Sequence, residues 1–436
     1  MARSLIASVI VAGIAMLAAA CGSSEEGPVR FLVFGDPEEI QAYRQVAADY
    51  EEQSGDDVQL VEASDRSDLI ARLSTSIAAG APPDVFLMNY RYYAQFAARE
   101  AIEPVTERLD GSEAFEREDF YPIAMDAFRW RGEQLCIPQN ISSLVVYYNR
   151  DLFEKYGVPE PEDDWTWNTM VGHAATLTRD PNGRQIRPGD PDSGGATAAV
   201  YGLGVEPSII RVAPFVWSNG AELVDDDVKP TRFTLDTPKA QEALRGFLDL
   251  RLAYGVIPSD VEVEAQDDET RFANGGLAML LSSRRSTPLF RTITEFDWDV
   301  APLPRWTERA GILHSDAFCI TSASERKNTA WGFVEYALGP EGQVTLAESG
   351  RTVPSLIEVS QSEAFLDPSK PPKRARVFLD GIPSIRVLPV ISTWPEIEDA
   401  TGPILENGLY LGQPASEVAE RIDRVTRPLF ARGETP

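Results

Sequence analysis

Between residues 29 and 89, short apolar runs alternate with helical patterns, and this alternation constrains the fold more than any other feature. "VRFLVF" (29–34) reads as a buried strand and Gly35-Asp36-Pro37 as a turn. "EEIQAYRQVAADYEEQSG" (38–55) reads as an amphipathic helix closed by Gly55. "DVQLVEA" (57–63) is a second strand. "DRSDLIARLSTSIAAG" (65–80) is a helix with Leu69, Leu73 and Ile77 on one face, and "PPDVFLMN" (82–89) is a third strand. The order β-α-β-α-β predicts a parallel sheet with helices on both faces.

The rest of the chain keeps the α/β character. "PQNISSLVVYYNRDLF" (138–153) sets two amides and two serines directly before an apolar run that ends at the start of a helix. A polar loop over 157–196 holds "WTW" (165–167) and the helix "NTMVGHAATLTR" (168–179). Further helices are expected over 237–254, 266–274, 328–349 and 414–430. Buried strands are expected at "GLAMLLSS" (276–283), "DWDVAPLP" (297–304) and "DAFCITSAS" (316–324). "GLG" (202–204) reads as a strand start, and proline-rich 366–373 as a surface loop. No internal repeat is visible, and 436 residues suggest two or three domains.

The acidic balance, 68 Asp and Glu against 40 Lys and Arg, argues against nucleic-acid binding, which needs a basic footprint. At the N-terminus Arg3 precedes an apolar stretch, Leu5 to Ala20, too short for a comfortable membrane span. It ends "LAAAC" and is followed by "GSSEEG", and it resembles a bacterial lipoprotein signal, although Ala18 stands where that pattern prefers Leu or Val. The expectation is a signal peptide at 1–20, lipid on Cys21, a flexible tether over 21–28 and an extracytoplasmic protein held to the membrane. Cys136 and Cys319 remain. An even pair outside the cytoplasm invites a disulfide, and either residue also suits a buried apolar position.

The catalytic inventory is nearly empty. His173 and His314 lie far apart in sequence, and no G-x-S-x-G, H-E-x-x-H, C-x-x-C or G-x-x-x-x-G-K occurs. "DPNG" (180–183) is a turn rather than a calcium loop, and "DDD" (225–227) a solvated hairpin tip. No metal and no cofactor are expected. Aromatic and amide residues offer a different chemistry: rings stack on the apolar faces of a sugar while amides, carboxylates and guanidinium groups meet its hydroxyls. Such residues recur where predicted strands end, as Asn89, Tyr90 and Arg91, as Gln139 and Asn140, as Phe215, Trp217 and Asn219, as Ser283 and Arg284, as His314 and Asp316, and as Trp394.

The stretches "FGDPEEIQAYRQVAADYEEQSGDDVQLV", "AAGAPPDVFLMN", "LCIPQNISSLVVYYNRDLF", "FANGGLAMLLSS", "WDVAPLP" and "AFCITSASERKNTAWGFVEYAL" resemble the extracellular solute-binding proteins of ABC importers, in the family of maltose-binding protein. The resemblance implies two α/β lobes, each a mostly parallel sheet flanked by helices, that close on a ligand by hinge bending. It divides the chain into a first lobe of 29–141 plus 283–313 and a second of 142–282 plus 314–436. Crossings would fall at Ser142-Ser143, near Ser282 and near 312–314. It implies a monomer without catalysis that hands a carbohydrate or polyol to permease subunits. Trp394 would stack on the ligand, Phe215 or Trp217 would face the cleft, and Gln139 and Asn140 would lie at its floor. Asp36 and Arg351 join the candidate ligand-binding set. Ser283-Arg284-Arg285 stands where many sugar binders have Gly-x-Trp, which favours an anionic or amino-substituted solute. One rival is a phosphorylated polyol held by Arg284 or Arg351. Another is a secreted carbohydrate-active enzyme drawing on Asp36, Asp84 or Asp316. On this division Cys136 and Cys319 fall in different lobes, where a bridge would restrict closure, so both thiols are expected free.

Overall fold

The computed structural model describes residues 27–188 and 198–436. The expected signal peptide, Cys21 and most of the tether lie outside the described residues, as does the end of the 157–196 loop. Strands are numbered along the chain: β1 (Val29–Val33), β2 (Val58–Glu62), β3 (Val85–Asn89), β4 (Arg129–Trp130), β5 (Glu133–Gln134), β6 (Cys136–Pro138), β7 (Val145–Asn149), β8 (Met279–Ser282), β9 (Trp298–Pro302), β10 (Gly311–Ile312), β11 (Asp316–Ile320) and β12 (Ile385–Arg386).

The first sheet has the order β2-β1-β3-β11-β6. β1 runs parallel to β2 and β3, as the alternating pattern predicts, and β11 enters antiparallel between β3 and β6. The helices Pro37–Ser54 and Arg66–Ala78 make the crossovers. Asp65 caps the second by accepting from Asp68 N–H. Gly55 ends the first at φ 81°, a left-handed conformation that glycine adopts without the Cβ clash. Phe31, Tyr43, Phe318 and Phe333 interlock in the core beneath this sheet.

The second sheet has the order β8-β7-β9, and both pairings are antiparallel. Its parallel contacts are the isolated bridges Tyr201–Leu277 and Gly204–Leu280, so "GLG" touches the sheet edge without forming a strand. A Cβ at Gly202 would come within 2.0 Å of Ala174 O, which explains the glycine. The first-lobe sheet is therefore parallel over β2-β1-β3 and antiparallel over β3-β11-β6, and the second-lobe sheet is antiparallel, where mostly parallel sheets were expected.

Three crossings join the lobes, and one differs from expectation. Residues 139–144 lead from β6 to β7, and 312–315 lead from the second lobe back to β11. The two run side by side: Ser142 and His314 exchange backbone hydrogen bonds at 2.9 and 2.8 Å, and Ser143 Oγ accepts from Ile312 N at 2.9 Å. No crossing occurs near Ser282, because β8, the short helix Thr287–Phe290 and β9 stay on the second lobe. The third return follows the helices that pack on Pro37–Ser54. Helix Arg376–Asp380 then packs on β9, and helices Trp394–Leu411 and Ala415–Phe430 pack on helix Pro238–Leu252. Residues 283–313 thus belong with the second lobe, and β11 with the helices that follow it belongs with the first.

This exchange corrects the cysteines. Cys136 on β6 and Cys319 on β11 are register partners in one sheet, with Cα atoms 4.4 Å apart, and they form a disulfide. The bridge lies inside the first lobe and leaves the hinge free.

Candidate functional site

A cleft of about 610 Å³ opens between the lobes beside the two hinge strands. It gathers side chains from the carboxyl end of β3 (Asn89, Arg91), the first crossing (Asn140, Ser142), the end of β8 (Ser283, Arg284), the second crossing (His314, Asp316) and the loop at Arg351. Ligand sites of α/β sheets lie beyond such strand ends.

The cleft is built from paired polar groups. Asn89 caps helix Tyr90–Ala97 by accepting from Arg91 N, and its amide nitrogen donates to Asp316 Oδ1 at 3.1 Å. Asp316 also faces Arg66 at 3.5 Å, and its backbone N–H donates to Asn140 Oδ1 at 2.8 Å. Arg91 reaches across to Glu398 of the second lobe at 2.6 Å. Burial opposes the charge on Arg91, and the Glu398 carboxylate outweighs it, so the guanidinium is held charged. Arg351 binds Asp36 at 2.5 Å and also Glu39. Burial again opposes its charge and the two carboxylates prevail. Glu39 itself is raised above the usual carboxylate range by burial, against the pull of Arg351.

Arg284 is different. It is 1% exposed, has no carboxylate partner among the described residues, and is pushed down to about 9 by burial. Its Nε donates to Gly350 O at 2.8 Å, Nη1 is buried without a partner, and the group lies over the rings of Phe365 and Phe378.

Several expected contacts lie elsewhere. Trp394 is 0% exposed and packs against Phe233 and Phe430; its indole N–H donates to Glu398 at 2.6 Å. It positions a cleft carboxylate and offers no ring face to a ligand. Phe215 is buried against Trp167 and Phe247, and Trp217 is buried beneath Arg386. Asn219 binds Lys239 O and Glu242. Tyr90 is buried under Leu388. Gln139 lies one layer below the floor, its Oε1 2.9 Å from Tyr43 Oη, so Asn140 alone of the two amides lines the cleft. Asp36 acts through Arg351. His173 packs between Phe153 and Trp165, away from the cleft.

The cleft also holds residues that strand-end reading did not single out: Phe34, Glu39, Arg66, Glu206, Arg211 and Glu398. Glu398 was reachable, standing four positions after Trp394 on one helix face. The two aromatic rings that line the cleft, Phe34 and Tyr92, each carry the Arg66 guanidinium, with centroids at 5.3 and 5.5 Å.

Two lobes joined by paired strands, with a polar cleft between them, define the class of two-lobed solute-binding proteins. The chain belongs to the family of bacterial extracellular solute-binding proteins, whose family model matches residues 35–344. A protein of Brucella abortus named as a binding protein is 24% identical over 79% of this chain and 79% of its own length. Among solved structures, an ABC substrate-binding protein of Listeria monocytogenes in complex with cycloalternan superposes with a TM-score of 0.82 at 24% identity, covering 92% of this chain and 98% of that one. UgpB of Mycobacterium tuberculosis in complex with glycerophosphocholine superposes at 0.77 with 17% identity, covering 93% and 99%. Among the described residues no helix is long and apolar enough to cross a membrane, and no side-chain cluster is suited to a metal ion.

Proposed function

We propose that this protein captures a carbohydrate or carbohydrate derivative in the interlobe cleft and delivers it to the permease of an ABC importer, without catalysis. The observation that carries this reading is the lining of the cleft. Asn89, Asn140 and Asp316 converge with arginines and carboxylates from both lobes, a set of donors and acceptors suited to many hydroxyl groups. The solutes named for similar proteins, a cyclic oligosaccharide and a glycerophosphodiester, are polyhydroxylated as well.

The carboxylates that a hydrolase would need are already committed. Glu398 pairs with Arg91, Asp36 and Glu39 pair with Arg351, Asp84 accepts from Arg30 N and Ser324 Oγ, and Asp316 accepts from Asn89 and faces Arg66. The binding reading is therefore preferred to a glycosidase, whose general acid and nucleophile or base must both be free to act. Lipid on Cys21 would hold the protein at the membrane beside its permease; Cys21→Ala should move it to the soluble fraction, and unchanged membrane association would contradict the anchor.

The test of the binding function is extraction of the protein purified without unfolding, identification of co-purified small molecules by mass spectrometry, and return of each to stripped protein in a thermal-shift assay. A polyhydroxylated molecule that raises the melting temperature supports the reading. A solute of another class, or conversion of the solute to product, contradicts it.

A further inference from the structure

The second lobe turns the start of a helix toward the cleft. Helix Ile209–Ser218 is ten residues long, carries no acid in its first turn, and is preceded by Ser208, which makes no capping bond. Ser208 Oγ is buried without a partner. Pro207, Ser208, Ile209, Ile210 and Arg211 all line the cleft. Arg211 N–H turns back to Ser208 O at 3.0 Å; the N–H groups of Ile209 and Ile210 that open the helix have no acceptor one turn before them, and with the helix dipole they favour a negative group.

The Arg211 side chain adds an independent sign. Arg211 is 5% exposed, and its Nε and Nη1 are buried without partners. Its one carboxylate among the described residues is Glu206, 3.2 Å from Nη2, on a side chain that is 56% exposed. Burial outweighs that carboxylate and lowers the affinity of the guanidinium for its proton. His314 also lines the cleft with its Nε2 buried and unpartnered, and burial together with Arg211, Arg91, Arg66 and Arg285 keeps the imidazole neutral. A buried polar group left without a partner costs about 1–3 kcal/mol, more when charged. One acceptor of opposite charge at this place would satisfy several at once.

We propose that the solute carries a carboxylate, as a sugar acid does, and that this carboxylate seats at the N-terminus of helix Ile209–Ser218 against Arg211. The proposal rests on the reading of the cleft as a solute site and names the solute's class. A single negative charge matches what is offered: one guanidinium that already shares Nη2 with Glu206, and a helix terminus worth about half a charge. A dianionic phosphate ester asks for more, and Arg91 and Arg351 are held by their own carboxylates.

The experiment is calorimetric titration of matched probes: D-glucose with D-glucuronate, D-galactose with D-galacturonate, the 1,4-linked disaccharides of each, and glycerol 3-phosphate. The expected result is that an acid binds more tightly than its neutral partner by about tenfold or more, that added salt weakens it, that Arg211→Gln abolishes the preference and that Arg211→Lys restores part of it. Ser208→Asp serves if the Arg211 variants fail to fold: it places a fixed carboxylate at the helix start, so the helix should be stabilised and the acid should bind more weakly. A neutral sugar that binds as well as its acid, untouched by Arg211→Gln, overturns the carboxylate and leaves the solute-binding reading standing. Arg211-dependent binding of glycerol 3-phosphate in place of any acid overturns the carboxylate as well. Failure of every probe overturns it too, while the co-purified solute judges the binding reading separately.

Discussion

Trp394 shows how one residue changes role once its neighbours are known. A tryptophan near the end of such a chain resembles a stacking platform, yet the ring is wholly buried and only its N–H reaches a cleft residue, Glu398. Trp394→Ala should therefore cost about 3–5 kcal/mol of stability in denaturant unfolding, as large core truncations do. Trp394→Phe should retain most of that stability. An Ala variant of unchanged stability that loses only solute affinity would restore the stacking role. Asp268 gives a second prediction at this scale. Burial raises its carboxyl to about 6, and its Oδ1 has no partner. The folded state keeps this proton where the unfolded chain has lost it, so the contribution of Asp268 to stability is fully present below about pH 4 and is lost as pH rises through about 6. Asp268→Asn should gain about 1–3 kcal/mol at pH 7.5 and nothing near pH 4, as read by thermal unfolding at the two pH values. A loss at pH 7.5 would mean that the ionised carboxylate is needed.

The elements were legible to different degrees. The strands and helices of residues 29–89 followed from apolar periodicity and glycine ends, because local pattern and tertiary burial agree there. The ownership of β11 was not legible. "DAFCIT" is equally apolar in either sheet, and its antiparallel entry between β3 and β6 is decided by partners far away in sequence. That one misplacement carried the disulfide with it. The corrected pairing predicts that unfolded, unreduced protein lacking residues 1–26 offers no thiol for labelling. It also predicts that reduction lowers stability by about 2–5 kcal/mol, since the bridge joins positions 183 residues apart. Two labelled thiols would contradict the sheet order. Of the residues read at strand ends, Asn89, Arg91, Asn140, Ser283, Arg284, His314 and Asp316 line the cleft. Strand ends could not distinguish a ring turned to the cleft from one turned to the core, so Phe215, Trp217 and Trp394 were misplaced. Arg66 and Arg211 come from helices with no strand-end signal at all.

For the whole molecule, the Arg91–Glu398 pair ties helix Tyr90–Ala97 of the first lobe to helix Trp394–Leu411 of the second, and Arg284 reaches Gly350 O from the other side. These contacts hold the lobes together across the cleft. Breaking a buried pair by removing one partner costs about 3–5 kcal/mol, because the remaining charge has no counterpart. Glu398→Gln should therefore favour an open form, seen as a larger radius of gyration in small-angle scattering of solute-free protein, with solute reversing the change. An unchanged radius would mean that the pair does not govern closure.

On the proposed function, a polyhydroxylated solute is held between the lobes by Asn89, Asn140 and Asp316. The most direct measurement is a crystal structure of the protein with its co-purified solute retained. Solute density is expected in the interlobe cleft, hydrogen-bonded to these three side chains and enclosed by both lobes. Solute bound outside the cleft, or touching one lobe alone, would contradict it.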